Sequence, residues 1–173
     1  MSGVLGLVGI AAILFVAWGA FSAFAFAVTR RASAAFPTAI ALTCQGGVSL
    51  NRALEHWYNG PARLPLSFTL LATDDGLSIW TLTKSPIVSV EWKNVVSIET
   101  TVVQQGNRNS RGISVRVESG GEETTLPIIL LGRGLFWTAP KTSDEIIQVR
   151  EQLETLRELH RGPDSTRQER SYG

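Results

Sequence analysis

The sequence predicts an α+β protein with an N-terminal transmembrane helix, a small domain of seven short β-strands, and an amphipathic C-terminal helix that caps the domain. Three observations carry this expectation. Residues 3–28 contain no charged side chain, and Ser22 is the one clearly polar residue among them. Residues 66–137 break into short β-branched and aromatic runs separated by Gly, Pro, Asn and Asp. Behind them, Thr142 and Glu145 have capping-box spacing, and Ile146, Val149, Leu153 and Leu156 fall on one helical face.

As a helix, residues 3–28 would extend roughly 39 Å at about 1.5 Å per residue, enough to cross a hydrocarbon core of about 30 Å. The competing reading is a cleaved signal peptide, for which Ala23-Phe24-Ala25 and Ala25-Phe26-Ala27 offer small residues at cleavage spacing. That reading lacks a positive n-region, and the apolar run exceeds the roughly 7–15 residues such peptides use. A buried core helix would need a large domain around it to cover apolar surface on every side. Arg30 and Arg31 directly follow the run. By the positive-inside bias they act as topology determinants, placing the N-terminus outside and the rest of the chain in the cytoplasm. The expected protein is thus a single-pass component of the cell membrane. Gly19, Ala23 and Ala27 form a small-residue stripe that suits close helix packing and weak self-association, although a span rich in Ala and Gly also produces such stripes by chance.

The organisation that follows is an anchor with its flank over residues 1–31, a linker over 32–65, a β-domain with its helix over 66–162, and a disordered polar tail over 163–173. Within the linker, residues 38–44 (TAIALTC) suit a strand, and Ser49 caps a helix with Leu50, Ala53, Leu54 and Trp57 on one side. Asn59-Gly60-Pro61 stops that helix. The two together read as an accessory piece beside the main sheet. In the domain, runs at 66–72 and 77–82 flank Asp74-Asp75-Gly76, a hairpin signal. Further strands begin at Ile87 and at Val95, with Trp92-Lys93-Asn94 turning between them. Residues 104–112 (QQGNRNSRG) read as the longest loop. Ile113, Val115 and Val117 alternate with polar residues, and Ser119-Gly120-Gly121 joins that strand to 124–131, where Pro127 predicts an edge strand or a bulge. Gly132 and Gly134 bracket a turn, and residues 135–137 supply the seventh strand.

Several chemistries find no support in this pattern. With 16 basic against 15 acidic residues the net charge is +1, and removing Arg30 and Arg31 leaves 14 against 15, a slightly acidic domain. A nucleic-acid partner needs a basic surplus on one face. The single cysteine excludes an internal disulfide and a Cys-pair zinc site. Cys44, His56 and His160 fall on three separate predicted elements, so no metal site is expected. No nucleophile stands with a base and an oxyanion donor at interpretable spacing, so no catalytic residue and no cofactor are assigned. Asp74 and Asp75 read as turn residues, and Gly132-Arg133-Gly134 completes neither a dinucleotide fingerprint nor a P-loop. Trp57, Trp80, Trp92 and Trp137 read as core fillers before interface anchors. Arg108 and Arg111, in the long polar segment, are the candidates for an anion or lipid-headgroup contact.

The stretch FTLLATDDGLSIW at 68–80, followed by VEWKNVVSI at 90–98, resembles bacterial pleckstrin-homology-like domains. In these a strand, an Asp-Gly turn, a Gly-Leu strand and a W-x-x-V-x-x-I segment recur. The resemblance covers residues 66–159 and extends to small proteins of actinobacterial type with one span ahead of the domain. It implies a bent sheet or partly open barrel of seven strands plugged by the C-terminal helix. It also implies a non-enzymatic binding or scaffolding module with a protein partner at the inner face of the membrane. Two alternatives stand beside this expectation: a peripheral headgroup sensor of the same fold, and an exported β-domain released by signal cleavage. Relatives that bind phosphoinositides use Lys and Arg around the first hairpin loop. The matching turn here, Thr73-Asp74-Asp75-Gly76, is short and acidic and would repel an anion.

Overall fold

In a computed structural model of the chain, two helices flank the first strand, six strands then follow in succession, and a helix comes after them. The structure describes residues 2–58, 63–81, 83, 85–105, 107–132 and 140–160; in the first helix, side chains are described at 12, 13, 15–17, 19, 20, 23 and from 26 onward. The elements are α1 (Ser2–Ala35), β1 (Ile40–Gln45), α2 (Val48–Tyr58), β2 (Ser67–Ala72), β3 (Gly76–Trp80), β4 (Val88–Glu91), β5 (Val95–Gln105), β6 (Arg108–Ser119), β7 (Glu122–Leu130) and α3 (Ser143–His160). A single 3-10 turn, Trp92–Asn94, joins β4 to β5.

The seven strands form one open antiparallel sheet in the order β4-β3-β2-β1-β7-β6-β5. The α+β class, the seven-stranded sheet and the C-terminal helix are therefore as the sequence predicts, but the membership differs. The strand expected to be accessory is the hinge of the sheet: β1 pairs with β2 along its length and with β7 through Cys44–Leu130 and Gln45–Ile129. The seventh strand expected at 135–137 lies outside the described residues, as do the stop at Asn59-Gly60-Pro61, the turn at Arg133-Gly134 and the tail at 163–173. Pro127 is tolerated because β7 meets β1 only at Ile129 and Leu130, so the ring's missing N–H faces no strand partner at that point. Gly120 and Gly121, at φ of 63° and 87°, give the two-residue β6–β7 turn the left-handed backbone that matches strand twist.

The longest expected loop is absent. Residues 104–105 and 108–111 extend β5 and β6, with Gln105 opposite Arg108 and Val102 opposite Arg111. These residues are polar on both faces because the hairpin projects past the core, so no alternation marks it.

Register defines two ends of the sheet. Gln45, Ser67 and Ile129 align at the near end, with Ile113 and Thr101 close behind; Ile40, Ala72, Leu77 and Val90 align at the far end. The core between them is one apolar cluster containing Leu42, Phe68, Leu70, Ile79, Trp92, Ile113, Val115, Leu126 and Ile128, closed by Ile146, Val149 and Leu153 of α3. Leu50 and Leu54 of α2, which packs against β7, belong to the same cluster. α3 starts at the capping box the sequence predicts: Thr142 N–H donates to Glu145 Oε2 at 2.8 Å, and Glu145 N–H donates to Thr142 Oγ1 at 3.4 Å. It then covers the exposed edge of β5. The Ile98 N–H donates to Glu154 Oε1 at 2.8 Å, and the Arg157 guanidinium donates to the Val95 and Val96 carbonyls. An edge strand that would otherwise offer free backbone groups is thereby occupied.

All six positions of β2 are buried. Phe68, Leu70 and Ala72 face the core, and Ser67, Thr69 and Leu71 lie on the outer face, which α1 covers together with β1. Val28 and Ala32 pack there, and Thr29 Oγ1 lies 2.9 Å from both Thr43 Oγ1 and Thr69 Oγ1. α1 continues to Ala35, beyond the flank expected at residue 31, and reverses into β1.

The expected bilayer span over residues 3–28 needs a correction. No helix among the described residues is long and apolar enough to cross a membrane. What is described is one helix in two parts. It docks on the sheet from Val28 onward, while Ile13, Phe15 and Val16, before that point, are 69–78% exposed.

Candidate functional site

A concavity of about 570 Å³ lies at the far end, where α1 terminates over β2, β3 and β4. Its floor is aromatic because Phe36, directly after α1, reaches Trp80: the two rings meet edge-on with centroids 5.4 Å apart. The Trp80 indole N–H donates to Ser78 Oγ at 2.9 Å, which turns the ring along its own strand and fixes one wall. Ser89 and Pro86 line the opposite wall. Asp74, Asp75 and Glu91 form the rim.

The acidic turn is held from beneath. Trp92, 2% exposed, donates its indole N–H to the Thr73 carbonyl at 2.8 Å, and its backbone N–H reaches the Asp75 carbonyl at 3.4 Å. Gly76 is required there, since a Cβ at that position would lie 2.1 Å from the Val90 carbonyl oxygen. The carboxylates themselves point to solvent, with the Asp74 side chain 83% exposed. Lys93 pairs with Glu91 and offsets part of the rim's charge. His160, at the end of α3, places Nε2 3.4 Å from Asp74 Oδ1, close enough for attraction when protonated but without the alignment of a hydrogen bond.

The arginines singled out in the sequence lie elsewhere. Arg108 and Arg111 are exposed on the β5–β6 hairpin, three residues apart on one strand, and therefore project from opposite faces. They cannot clamp one anion between them. Arg30 and Arg31 are exposed on the docked part of α1, and Gly19, Ala23 and Ala27 are exposed along it. Cys44 is fully buried, and burial pushes its thiol up to about 12, which makes it a core residue rather than a nucleophile. Among the described residues no three His, Cys, Asp or Glu side chains come together as a metal site.

The groove residues the sequence reading passed over are Phe36, Ser78 and Ser89. Their signal is indirect: Thr29 is the hydroxyl near the end of an apolar helix that marks where α1 meets a sheet. Comparison with protein-family models, with curated proteins and with solved structures returns no match.

Proposed function

We propose that the chain is a non-enzymatic, single-pass membrane protein whose pleckstrin-homology-like β-domain binds a protein partner at the inner face of the membrane. The observation that carries this reading is the far-end groove, an aromatic floor of Phe36 and Trp80 beneath a carboxylate rim of Asp74, Asp75 and Glu91. Such a surface favours a segment that brings an apolar or aromatic side chain together with Lys or Arg, and disfavours an anionic headgroup. The anchor part of this reading rests on the sequence alone, in which residues 3–28 carry no charge, because no helix among the described residues is long and apolar enough to cross a membrane. The cytoplasmic orientation rests on Arg30 and Arg31. Fixing the domain at the bilayer raises the effective concentration of any partner in the same membrane, so a weak groove contact suffices.

A photo-crosslinking residue placed at Ser89 in the intact protein tests the groove. The expected result is a crosslinked partner that is lost in Asp75→Lys/Glu91→Lys and retained in Glu122→Lys, a control on the β6–β7 turn. A crosslink indifferent to the rim charges would refute the groove as the binding surface. Protease added to intact spheroplasts tests orientation; digestion of the β-domain from outside would overturn it.

A further inference from the structure

The last helix delivers the chain to the rim of the far-end groove. α3 ends at His160, whose Nε2 is 3.4 Å from Oδ1 of Asp74. Residues 161–173 (RGPDSTRQERSYG) continue from that point and lie outside the described residues. Gly162-Pro163 breaks the helical pattern of α3 at once, since Pro lacks the N–H that another turn would need. The first cation of the tail, Arg161, follows directly on the residue that touches the acidic turn.

The tail and the groove have complementary chemistry. The tail carries Arg161, Arg167 and Arg170 against Asp164 and Glu169, and its aromatic residue is Tyr172. Arg170 and Tyr172 stand two positions apart, so an extended backbone would project both to one side. The groove offers the carboxylates of Asp74, Asp75 and Glu91, offset in part by Lys93, above the edge-on rings of Phe36 and Trp80. A guanidinium matches a carboxylate in two bonds and stacks on an aromatic face, which suits Arg to such a rim and floor. The tether is also long enough. Tyr172 is 12 positions beyond His160, up to about 40 Å of extended chain at about 3.3 Å per residue, whereas β3 spans about 14 Å from Gly76 to Trp80.

We infer that residues 164–173 occupy the far-end groove of their own chain, with Arg167 and Arg170 against Asp75 and Glu91 and with Tyr172 on the rings of Phe36 and Trp80. This rests on the reading of the groove as a docking surface and adds its regulation, because the tail and the partner compete for one seat. The tail has the advantage over a free segment of equal chemistry, since a tether of a few residues holds it at an effective concentration of the order of 1 mM. Each ion pair is weak on its own: the Asp74 and Glu91 side chains are 83% and 64% exposed, and water screens them. The seat therefore yields to a partner that brings a larger apolar side chain or a further cation.

The test uses the full chain in mild detergent, as an equal mixture of isotopically light and heavy protein with a photo-crosslinking residue at Ser89. The expected product joins position 89 to a peptide within 164–173, light to light and heavy to heavy. Arg167→Glu/Arg170→Glu should abolish it, as should Asp75→Lys/Glu91→Lys, and the four substitutions together should restore it. Tyr172→Ala should weaken it several-fold. Should the rim variant fail to fold, the two tail variants decide the question. In cells, Arg167→Glu/Arg170→Glu should raise crosslinking of the separate partner several-fold as the tail product disappears. A tail crosslink that survives the charge reversals, or one that joins light to heavy chains, would overturn the seat within one chain. A crosslink from 89 to a separate protein, with none to 164–173, would overturn the tail and leave the groove standing as a docking surface. No crosslink of either kind would overturn both.

Discussion

Replacing Thr29 with Val should loosen the joint between α1 and the sheet. Its hydroxyl lies 2.9 Å from those of Thr43 and Thr69, and the three residues are 8%, 6% and 0% exposed. Val keeps the shape and removes the hub, so two buried hydroxyls lose a partner. A buried hydrogen bond contributes about 1 kcal/mol net, and an orphaned polar group costs about 1–3 kcal/mol. The expected loss is thus about 2 kcal/mol, or a fall in Tm of roughly 4–8 °C for a chain of this size. Thermal unfolding of the intact protein in mild detergent, followed by tryptophan emission, reads it. The decisive comparison is the triple variant Thr29→Val/Thr43→Val/Thr69→Val, which removes all three hydroxyls together. It should recover most of the loss, because matched apolar replacement of both partners is close to neutral. A single variant indistinguishable from the parent, or a triple variant less stable than the single one, would refute the argument.

Trp92→Phe removes the indole bond to the Thr73 carbonyl and part of a fully enclosed side chain; the expected loss is about 2–4 kcal/mol by denaturant titration, with faster amide exchange at the Asp74-Asp75 turn. Glu154→Leu strips the Ile98 N–H of its acceptor, so exchange at that amide should accelerate and stability fall by about 1–3 kcal/mol. The Glu145 carboxyl is held below the ordinary glutamate range by the Thr142 N–H, then by the Thr142 hydroxyl and by Lys141. A lowered folded value means its stabilisation is present above about pH 4.3 and disappears as the pH falls through that lower value. Glu145→Gln should therefore flatten the acid limb of the stability profile and leave its neutral limb parallel to the parent. Cys44, with its thiol at about 12, should resist an aromatic disulfide reagent at pH 8 in the folded protein and react at once in denaturant; prompt reaction in the folded state would show that the core is open.

What could be read from the sequence was whatever residues a few positions apart decide. Thr142 and Glu145 announce α3 because the capping box closes within one turn, and Gly120-Gly121 announce a hairpin because the turn chemistry is local. Ile113, Val115 and Val117 alternate because one face of β6 meets the core and the other does not. β1 shows the limit: its strand character is local, but its place as the hinge depends on Leu130 and Ile129, far along the chain. Residues 104–112 read as a loop because they are polar and rich in Asn and Gly, whereas their strand pairing, with Asn109 opposite Gln104, is made by the backbone. The groove was invisible for a related reason. Phe36 and Trp80 meet only because α1 docks on β2, and the polar cue for that docking was one threonine near the end of an apolar run.

The position of β1 also bears on how the chain is made. Gln45 waits for Ile129, 84 positions later, before the second half of the sheet can join the first. At about 5–20 residues per second of synthesis, that interval is roughly 4–17 s. Throughout it, α1 and β2 can already cover one side of β1, while its other edge remains open to any passing strand. A nascent chain therefore carries its hazard on the segment synthesised straight after the apolar helix. Its rate of maturation is set by long-range closure rather than by any single helix or hairpin.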